Sequence, residues 1–580
     1  MANDARVGSS RAPVPDGATR AHEAPGPAPA PREPVVMVTE EAALAVVARA
    51  GGALGTMLDP ATPWDADNAS LASRAPWESV ARVLEGDVKE VAERDTLAGV
   101  GVARYAHRLF DSRWLRAKSA RFELVGIIPR LDRRAFFDDA CGEIRLVYRL
   151  AYGGSASVGQ GGMAERSRLP MTVSLELQGA PRAEDGGCVE AARRWLAPAG
   201  LKGAPLGRWL VSADGPLHAG ALTRARLAQL VVNVQRVRWP SAVRPDLGGH
   251  AEYVLRAFEG RAAGAPLTPA PLENTPDVER LRSSPASRAE LLAQLLRPDV
   301  IERVDEGTVR LPTSLLARRV ISVTPGGLER RANRPFASLF EPRELESATR
   351  ASSRHAKSGA ALLRRLDDLT CNGCHASRSI AGFHLLGDNR ADDAPGNMLA
   401  VPFSPHEVDE VDRRRAFMRA LADGLIADDH RPLAAPEREV ERYARGAVGD
   451  ACEPSSIEPH RDPHRDRARK EPAQACLPGL HCERTAVGFP RGMCSGGCDA
   501  VADGARCGGI AVLDPFNACV ARKEPFSRCI TEHVRPAALA ACSIDSPCRD
   551  DYVCAGAPDE GTCLPPYFVF QLRVDGHPAP

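Results

Sequence analysis

The sequence lacks both a long apolar run and an excess of charge of either sign. Its 580 residues include 75 Lys plus Arg and 75 Asp plus Glu. A balanced chain provides no field that would attract a polyanion, so we expect no nucleic-acid partner. A membrane helix needs about 18 or more consecutive apolar residues, and because no run approaches that length we expect no transmembrane segment.

Motifs for export, hydrolysis and phosphate binding are missing as well. The first residues, MANDARVGSSRAPVPDG, contain neither a basic region nor an apolar one, so no secretory signal is visible. There is no Ser nucleophile elbow, H-E-x-x-H or phosphate loop. The Gly-rich stretch YGGSASVGQGG lacks the Gly-Lys-Ser/Thr ending of a phosphate loop and is more typical of a hairpin loop. These absences disfavour a hydrolase.

Cysteine, by contrast, is abundant. Of 16 cysteines, twelve lie from Cys452 onward. Such a density persists as disulfides only in an oxidising compartment, so we expect an extracytoplasmic protein (periplasm, cell surface or secreted) despite the missing signal. The segments CLPGLHC and CRDDYVC share a C-x5-C spacing, and each is followed by Gly-x-Cys, which indicates an internal repeat. Their disulfide connectivity does not follow from the sequence.

Hydrophobic periodicity predicts a multidomain α+β protein. EEAALAVVARAGG has helical spacing and ends in a Gly pair suited to a C-terminal cap, and CVEAARRWL is also helical. FELVGII, EIRLVYRLA, MTVSLEL, AQLVVNVQRVRW and AEYVLRAFE are predicted strands of a half-buried, mainly antiparallel sheet. The expected divisions are a Pro/Ala-rich tether (1–35), this sheet-rich domain (36–270), a mostly helical region (275–450), a charged Pro-rich linker (451–475) and a small disulfide-rich domain (476–580).

Two cysteines stand alone in the sheet-rich domain. Cys141 and Cys188 each border a predicted regular element. If they pair, closing a loop of this size stabilises the fold by about 4 kcal/mol in the chain-entropy model. The alternative is two buried free thiols.

One motif carries redox chemistry. Helix-like SGAALLRRLDDLT runs into Cys371-Asn372-Gly373-Cys374-His375, a C-x-x-C-H. Two thiols at this spacing can each bond one haem vinyl group, and the next residue supplies an axial imidazole. We therefore predict one covalent haem c at Cys371 and Cys374, with His375 as proximal iron ligand. A local disulfide and a zinc site of both cysteines with two histidines are the alternatives, although the lack of a second C-x-x-C nearby weakens the zinc site.

Residues 355–430 resemble class I c-type cytochromes, in which a helix leads to C-x-x-C-H, a loop brings a Met to the far side of the haem, and a final helix packs against the first. GDNRADDAPGNMLAVPFSP corresponds to the loop and PHEVDEVDRRRAFMRALADGL to the final helix. The resemblance implies Met398 as the sixth ligand, but its short separation from His375 departs from the family pattern. His384 in AGFHLLG competes for the same position, and an open site is the third alternative. Met418, inside the final helix, is expected to pack in a core.

The whole arrangement resembles that of large exported proteins of myxobacterial type, which join a sheet-rich domain, a C-x-x-C-H segment and a Cys-rich end. This resemblance implies a location and a cofactor only. The sequence thus predicts an extracytoplasmic haem protein and favours electron transfer with a redox partner protein over catalysis. The alternative is a non-enzymatic secreted or surface binding protein in which C-x-x-C-H is a disulfide or a structural metal site.

Overall fold

The computed structural model describes residues 33–97, 110–152, 167–182, 187–237, 251–323, 334–372 and 405–430, with short strand segments between residues 445 and 564. Within these residues the chain forms a seven-stranded antiparallel sheet and twelve α-helices, which confirms a mixed α+β fold. The predicted tether, 1–35, lies outside the described residues apart from its last three.

The sheet contains all five predicted strands and two more. Its members are β1 (Ala120–Arg130), β2 (Glu143–Tyr152), β3 (Ser167–Gln178), β4 (Leu227–Val237), β5 (Ala251–Glu259), β6 (Thr268–Ala270) and β7 (Arg319–Val323). They are neighbours in chain order from β1 to β6, and β7 pairs with β5. Strands β2 and β3 are adjacent and antiparallel. The Gly-rich stretch predicted to be a hairpin loop between them lies outside the described residues apart from Tyr152.

One face of the sheet packs against helices and forms the first core. Alternate residues of each central strand point into it, among them Tyr148 of β2, Leu175 of β3 and Val232 of β4. The helices of this layer are α1 (Glu41–Val47), α2 (Leu54–Leu58), α3 (Asn68–Ala72), α4 (Ala75–Leu97), α5 (Cys188–Leu196), α6 (Gly203–Val211) and α12 (Pro405–Ala422).

The first helical segment behaves as its sequence predicts. A π turn, Ala48–Gly52, follows α1, and Gly51 in this turn has a φ of 110°, a conformation that glycine adopts readily. Among the described residues, Glu41–Leu58 has the length and hydropathy of a membrane span. Half of this segment is buried inside the protein, and core helices of soluble proteins can have the same length and hydropathy.

The predicted pair of isolated cysteines is confirmed. A disulfide joins Cys141, just before β2, to Cys188, the first residue of α5. The two residues are 47 positions apart in sequence. The bridge therefore ties α5 to the strand that it covers.

A second core is built from helices and the segments that connect them. It contains α7 (Val278–Ser283), α8 (Pro285–Leu295), α9 (Pro298–Glu306), α10 (Pro342–Ser352) and α11 (Gly359–Asp368). Asp305 of α9 holds the turn that precedes α11, because its carboxylate accepts hydrogen bonds from the Ser353 hydroxyl and from the backbone amides of the next three residues. Burial raises the pKa of Asp305, but these bonds outweigh burial and lower it below its ordinary value.

Two described elements of the region 275–450, which is predicted to be mostly helical, pack with the sheet and the first core. Strand β7 lies within it, yet pairs with β5 in the sheet. Helix α12 also returns to the first core, where Met418 is buried, which confirms core packing for that residue. A short run such as RVISV and an amphipathic helix both need a partner surface, and the sequence pattern does not say which surface that is.

Among the short strands described in the Cys-rich end, two antiparallel pairs contain the repeated cysteines. β8 (His481–Glu483) pairs with β9 (Gly492–Ser495), and β10 (Val553–Ala557) pairs with β11 (Glu560–Leu564). In the first pair Cys482 is in register with Cys494, and in the second Cys554 is in register with Cys563. The second and third cysteines of both copies are therefore opposed in the same way, which supports the internal repeat.

Candidate cofactor site

Helix α11 delivers the chain to the C-x-x-C-H motif. It begins at an N-terminal cap, where the Ser358 side chain accepts a hydrogen bond from the Ala361 amide. Its apolar stripe, which includes Leu362 and Leu366, is buried in the second core. The helix ends at Asp368, three residues before Cys371, so the predicted helix before the motif is confirmed.

Cys371 is held where the second core meets the sheet. Its backbone amide donates to the Thr275 hydroxyl oxygen at 2.9 Å, and that hydroxyl donates to the carbonyl of Glu273 at 2.9 Å. The Cys371 sulfur lies 3.8 Å from the same carbonyl oxygen. Cys371 also packs against a small apolar cluster on the sheet, formed by Val231, Leu255, Ala257, Ala270 and Leu272.

The other predicted ligands lie outside the described residues. They are Cys374, His375, His384 and Met398. The assignment of both axial ligands therefore stays a prediction. Among the described residues, no group of three or more His, Cys, Asp and Glu side chains could hold a metal ion.

The cluster beside Cys371 belongs to the second face of the sheet, which we call the polar face. It is defined by the residues of β2, β3 and β4 that point away from the first core: Glu143, Arg145, Val147, Arg149, Thr172, Ser174, Glu176, Gln229, Val231 and Asn233. Most of these side chains are buried. The expectation of a half-buried sheet was wrong for these strands, since both of their faces are removed from solvent.

One end of the polar face neutralises its charges internally. Glu143 accepts a hydrogen bond from Arg145 Nε at 2.6 Å and lies 3.0 Å from Arg133 Nε. Arg145 also pairs with Glu176 at 3.0 Å, and Arg133 forms an ion pair with Glu273, the residue whose carbonyl faces Cys371. Buried charges persist only when paired in this way.

The two acids of this network titrate differently. Burial raises the pKa of Glu143, but the charges of Arg133, Arg145 and Arg130 outweigh burial and lower it to about 2. Burial raises the pKa of Glu176 to about 7, because Arg145 compensates only in part and the charge of Glu143 adds to the shift. Near neutral pH Glu143 is thus ionised, whereas Glu176 holds its proton more tightly than an exposed glutamate does.

The other end of the polar face contains unsatisfied polar atoms. The Arg149 Nη1 atom donates to the Thr172 hydroxyl oxygen at 2.8 Å. Ser174 Oγ and Asn233 Oδ1 are buried and, in the part of the chain that the structure describes, have no hydrogen-bond partner. Folded proteins rarely leave such atoms unpaired, so these two atoms require a partner such as a water or a ligand group.

The position of α12 differs from that of the final helix in class I cytochromes. Its residues Phe417 and Met418 pack in the first core, with α5 as main helical neighbour, whereas α11 packs with α9 and α10 in the second core. Beyond α12, the ring of His430 stacks on that of His355, which precedes α11, with ring centres 3.9 Å apart. The chain therefore returns to the entry of α11, although the two helices have different cores.

Sequence reasoning missed the polar face. Arg145, Arg149 and Glu176 occupy alternate strand positions, which in a half-buried sheet are the solvent-facing ones. A usable signal was the number of charged and amide side chains on the outward positions of three adjacent strands. No known protein family, curated protein or solved structure matches this chain.

Proposed function

We propose that this protein is an extracytoplasmic c-type haem protein that transfers electrons. One observation supports this proposal above the others. A capped helix ends just before Cys371, and Cys371 packs against an apolar cluster that lies next to buried polar groups. A porphyrin needs such a combination, since its ring is apolar and its carboxylates are polar. This combination supports a haem attached at Cys371, and the C-x-x-C-H motif adds Cys374 as the second attachment and His375 as the proximal ligand.

A haem c in this position supplies one-electron exchange. The protein's own residues contribute orientation and charge. The Cys371 backbone amide donates a hydrogen bond to the Thr275 hydroxyl oxygen. The backbone carbonyl of Glu273, whose side chain pairs with Arg133, lies 3.8 Å from the Cys371 sulfur. The Cys141–Cys188 disulfide supports location in an oxidising compartment. Haem c attachment and a disulfide-rich C-terminal segment belong to the same kind of compartment. A redox partner protein is part of the same proposal.

The test is expression in cells that are competent for cytochrome c maturation. We expect haem staining that survives denaturing electrophoresis and a pyridine haemochrome spectrum with one haem per chain. Cys371→Ala/Cys374→Ala should abolish the haem staining that survives denaturing electrophoresis and the haemochrome spectrum of covalently attached haem c. The matched control is Cys476→Ala/Cys482→Ala, which removes two thiols at a different spacing and should retain the haem.

A second function is favoured by the separate packing of α11 and α12. In that case the chain is a secreted or surface binding protein, and Cys371 and Cys374 form a local disulfide or a structural metal site. The same preparation decides between the two functions. A protein without haem that yields a Cys371–Cys374 disulfide on peptide mapping, or bound zinc on metal analysis, would support the binding protein and rule out the haem protein.

A further inference from the structure

We propose that Ser174 and Asn233, with Arg149 beside them, bind the carboxylates of the haem attached at Cys371. This inference rests on the proposed function, because it concerns the same cofactor. In this proposal, the polar edge of the cofactor is bound by residues on strands that are far from the motif in sequence.

Cys371 and the two unsatisfied residues lie on the same face of the sheet. Cys371 packs against the cluster that contains Val231 and Leu255. In the strand register Asn233 is directly opposite Leu255, and Ser174 is directly opposite Val231. Each polar residue therefore lies about one strand spacing, ~5 Å, from a cluster residue.

Arg149 continues the row that Asn233 begins. Asn233 is opposite Thr172, and Thr172 is opposite Arg149, so the row crosses β4, β3 and β2 over about 10 Å. The bond to the Thr172 hydroxyl oxygen orients the guanidinium. A porphyrin has its carboxylates on the edge opposite the vinyl groups that thiols bond. A row that starts next to a residue of the cluster on which Cys371 packs, and that ends at a cation, matches this polarity.

The unsatisfied atoms point to a ligand with hydrogen-bonding oxygens. A serine hydroxyl can donate to a carboxylate, and an asparagine amide presents its two N–H donors when its oxygen and nitrogen exchange places. Two other polar residues of this face already have ion-pair or hydrogen-bond partners within the protein. Arg145 lies between Glu143 and Glu176, and Gln229 Nε2 donates to the Pro271 carbonyl at 2.9 Å.

The test measures how much the carboxylates contribute to binding, apart from the rest of the porphyrin. The full chain carrying Cys371→Ala/Cys374→Ala is titrated with hemin and with hemin dimethyl ester, and binding is followed by Soret absorbance. We expect hemin to bind about tenfold or more tightly than the ester, since charge-assisted hydrogen bonds are lost on esterification. Adding Ser174→Ala/Asn233→Leu should weaken hemin binding by a similar factor and leave ester binding unchanged.

A matched control and a folding readout accompany the titration. Gln229→Met changes an amide on the same face of β4 whose hydrogen bond is already made, so it should preserve the preference for hemin. In the absence of hemin, Ser174→Ala/Asn233→Leu should be at least as resistant to urea as its parent, because it removes buried unpaired groups.

The failures are distinguishable. Equal affinity for hemin and its ester in the parent, or an unchanged preference in the variant, would overturn this inference while covalent haem in the wild type still stands. A wild type without covalent haem would overturn the proposed function and this inference together.

Discussion

Glu143 offers the sharpest test of the buried charge network. Its carboxylate is almost fully buried and pairs with both Arg133 and Arg145. Glu143→Gln keeps the shape but leaves two buried guanidinium groups without this counter-charge. Removing one partner of a buried ion pair costs about 3–5 kcal/mol, so the free energy of unfolding measured in urea should fall by that amount at pH 7.

The pH dependence of this loss follows from the sign of the shift. The pKa of Glu143 falls from an ordinary 4.5 to about 2 on folding, because the three arginine charges outweigh burial. Its contribution to stability is therefore present above pH 4.5 and is lost as the pH falls toward 2. The difference between wild type and Glu143→Gln should shrink over this range of pH.

The control for this prediction is an exposed ion pair. Lys89 and Glu93 are separated by 3.8 Å and both side chains are mostly exposed, so Glu93→Gln should change stability by less than about 1 kcal/mol. If Glu143→Gln were as mild as Glu93→Gln at pH 7, the reasoning about buried pairing would be refuted.

Three further predictions concern the disulfide, the second acid and the sixth haem ligand. Replacing Cys141 and Cys188 with Ala removes a bridge between residues 47 positions apart. The free energy of unfolding measured by urea titration should fall by about 4 kcal/mol in the chain-entropy model, and a change below about 1 kcal/mol would contradict this prediction. Burial raises the pKa of Glu176 from 4.5 to about 7, so its contribution is complete below pH 4.5 and is lost as the pH rises through 7. Glu176→Gln should therefore flatten the decline in stability across this range, and an unchanged slope would refute the assignment. Finally, Met398→Ala should remove the weak near-infrared band of ferric His/Met haem, whereas a spectrum that changes only in His384→Ala would assign the ligand to His384.

The strands and the helix before the motif were predictable because their signals are local. A period of two in β2 and β3, with Leu146 and Leu175 on the inward side, determines both the strand and its buried face. Ser358 before an apolar helical stripe determines where α11 begins. Cys141 and Cys188 could be paired because the sheet-rich domain offers no other cysteine.

The charge network was not predictable in the same way. Arg133 pairs with Glu273, which lies 140 positions further along the chain. Nothing in the local pattern around either residue specifies the other. Whether Arg145 is exposed or buried likewise depends on what covers the polar face, and that is decided by distant parts of the chain.

The sequence by itself therefore determined the antiparallel strands, the inward face of the sheet, the helix that leads to Cys371 and the spacing of the thiols. Each of these depends on the period of a few adjacent residues or on the chemistry of one short motif. Only the tertiary structure decided that α12 packs in the first core, that β7 joins the sheet, that most outward residues of β2, β3 and β4 are buried, and that Cys371 packs against the cluster containing Val231. Those outcomes depend on contacts between residues far apart in sequence. Such contacts form because the apolar surface that they bury outweighs the entropy lost when the intervening loops close, and no local pattern specifies them.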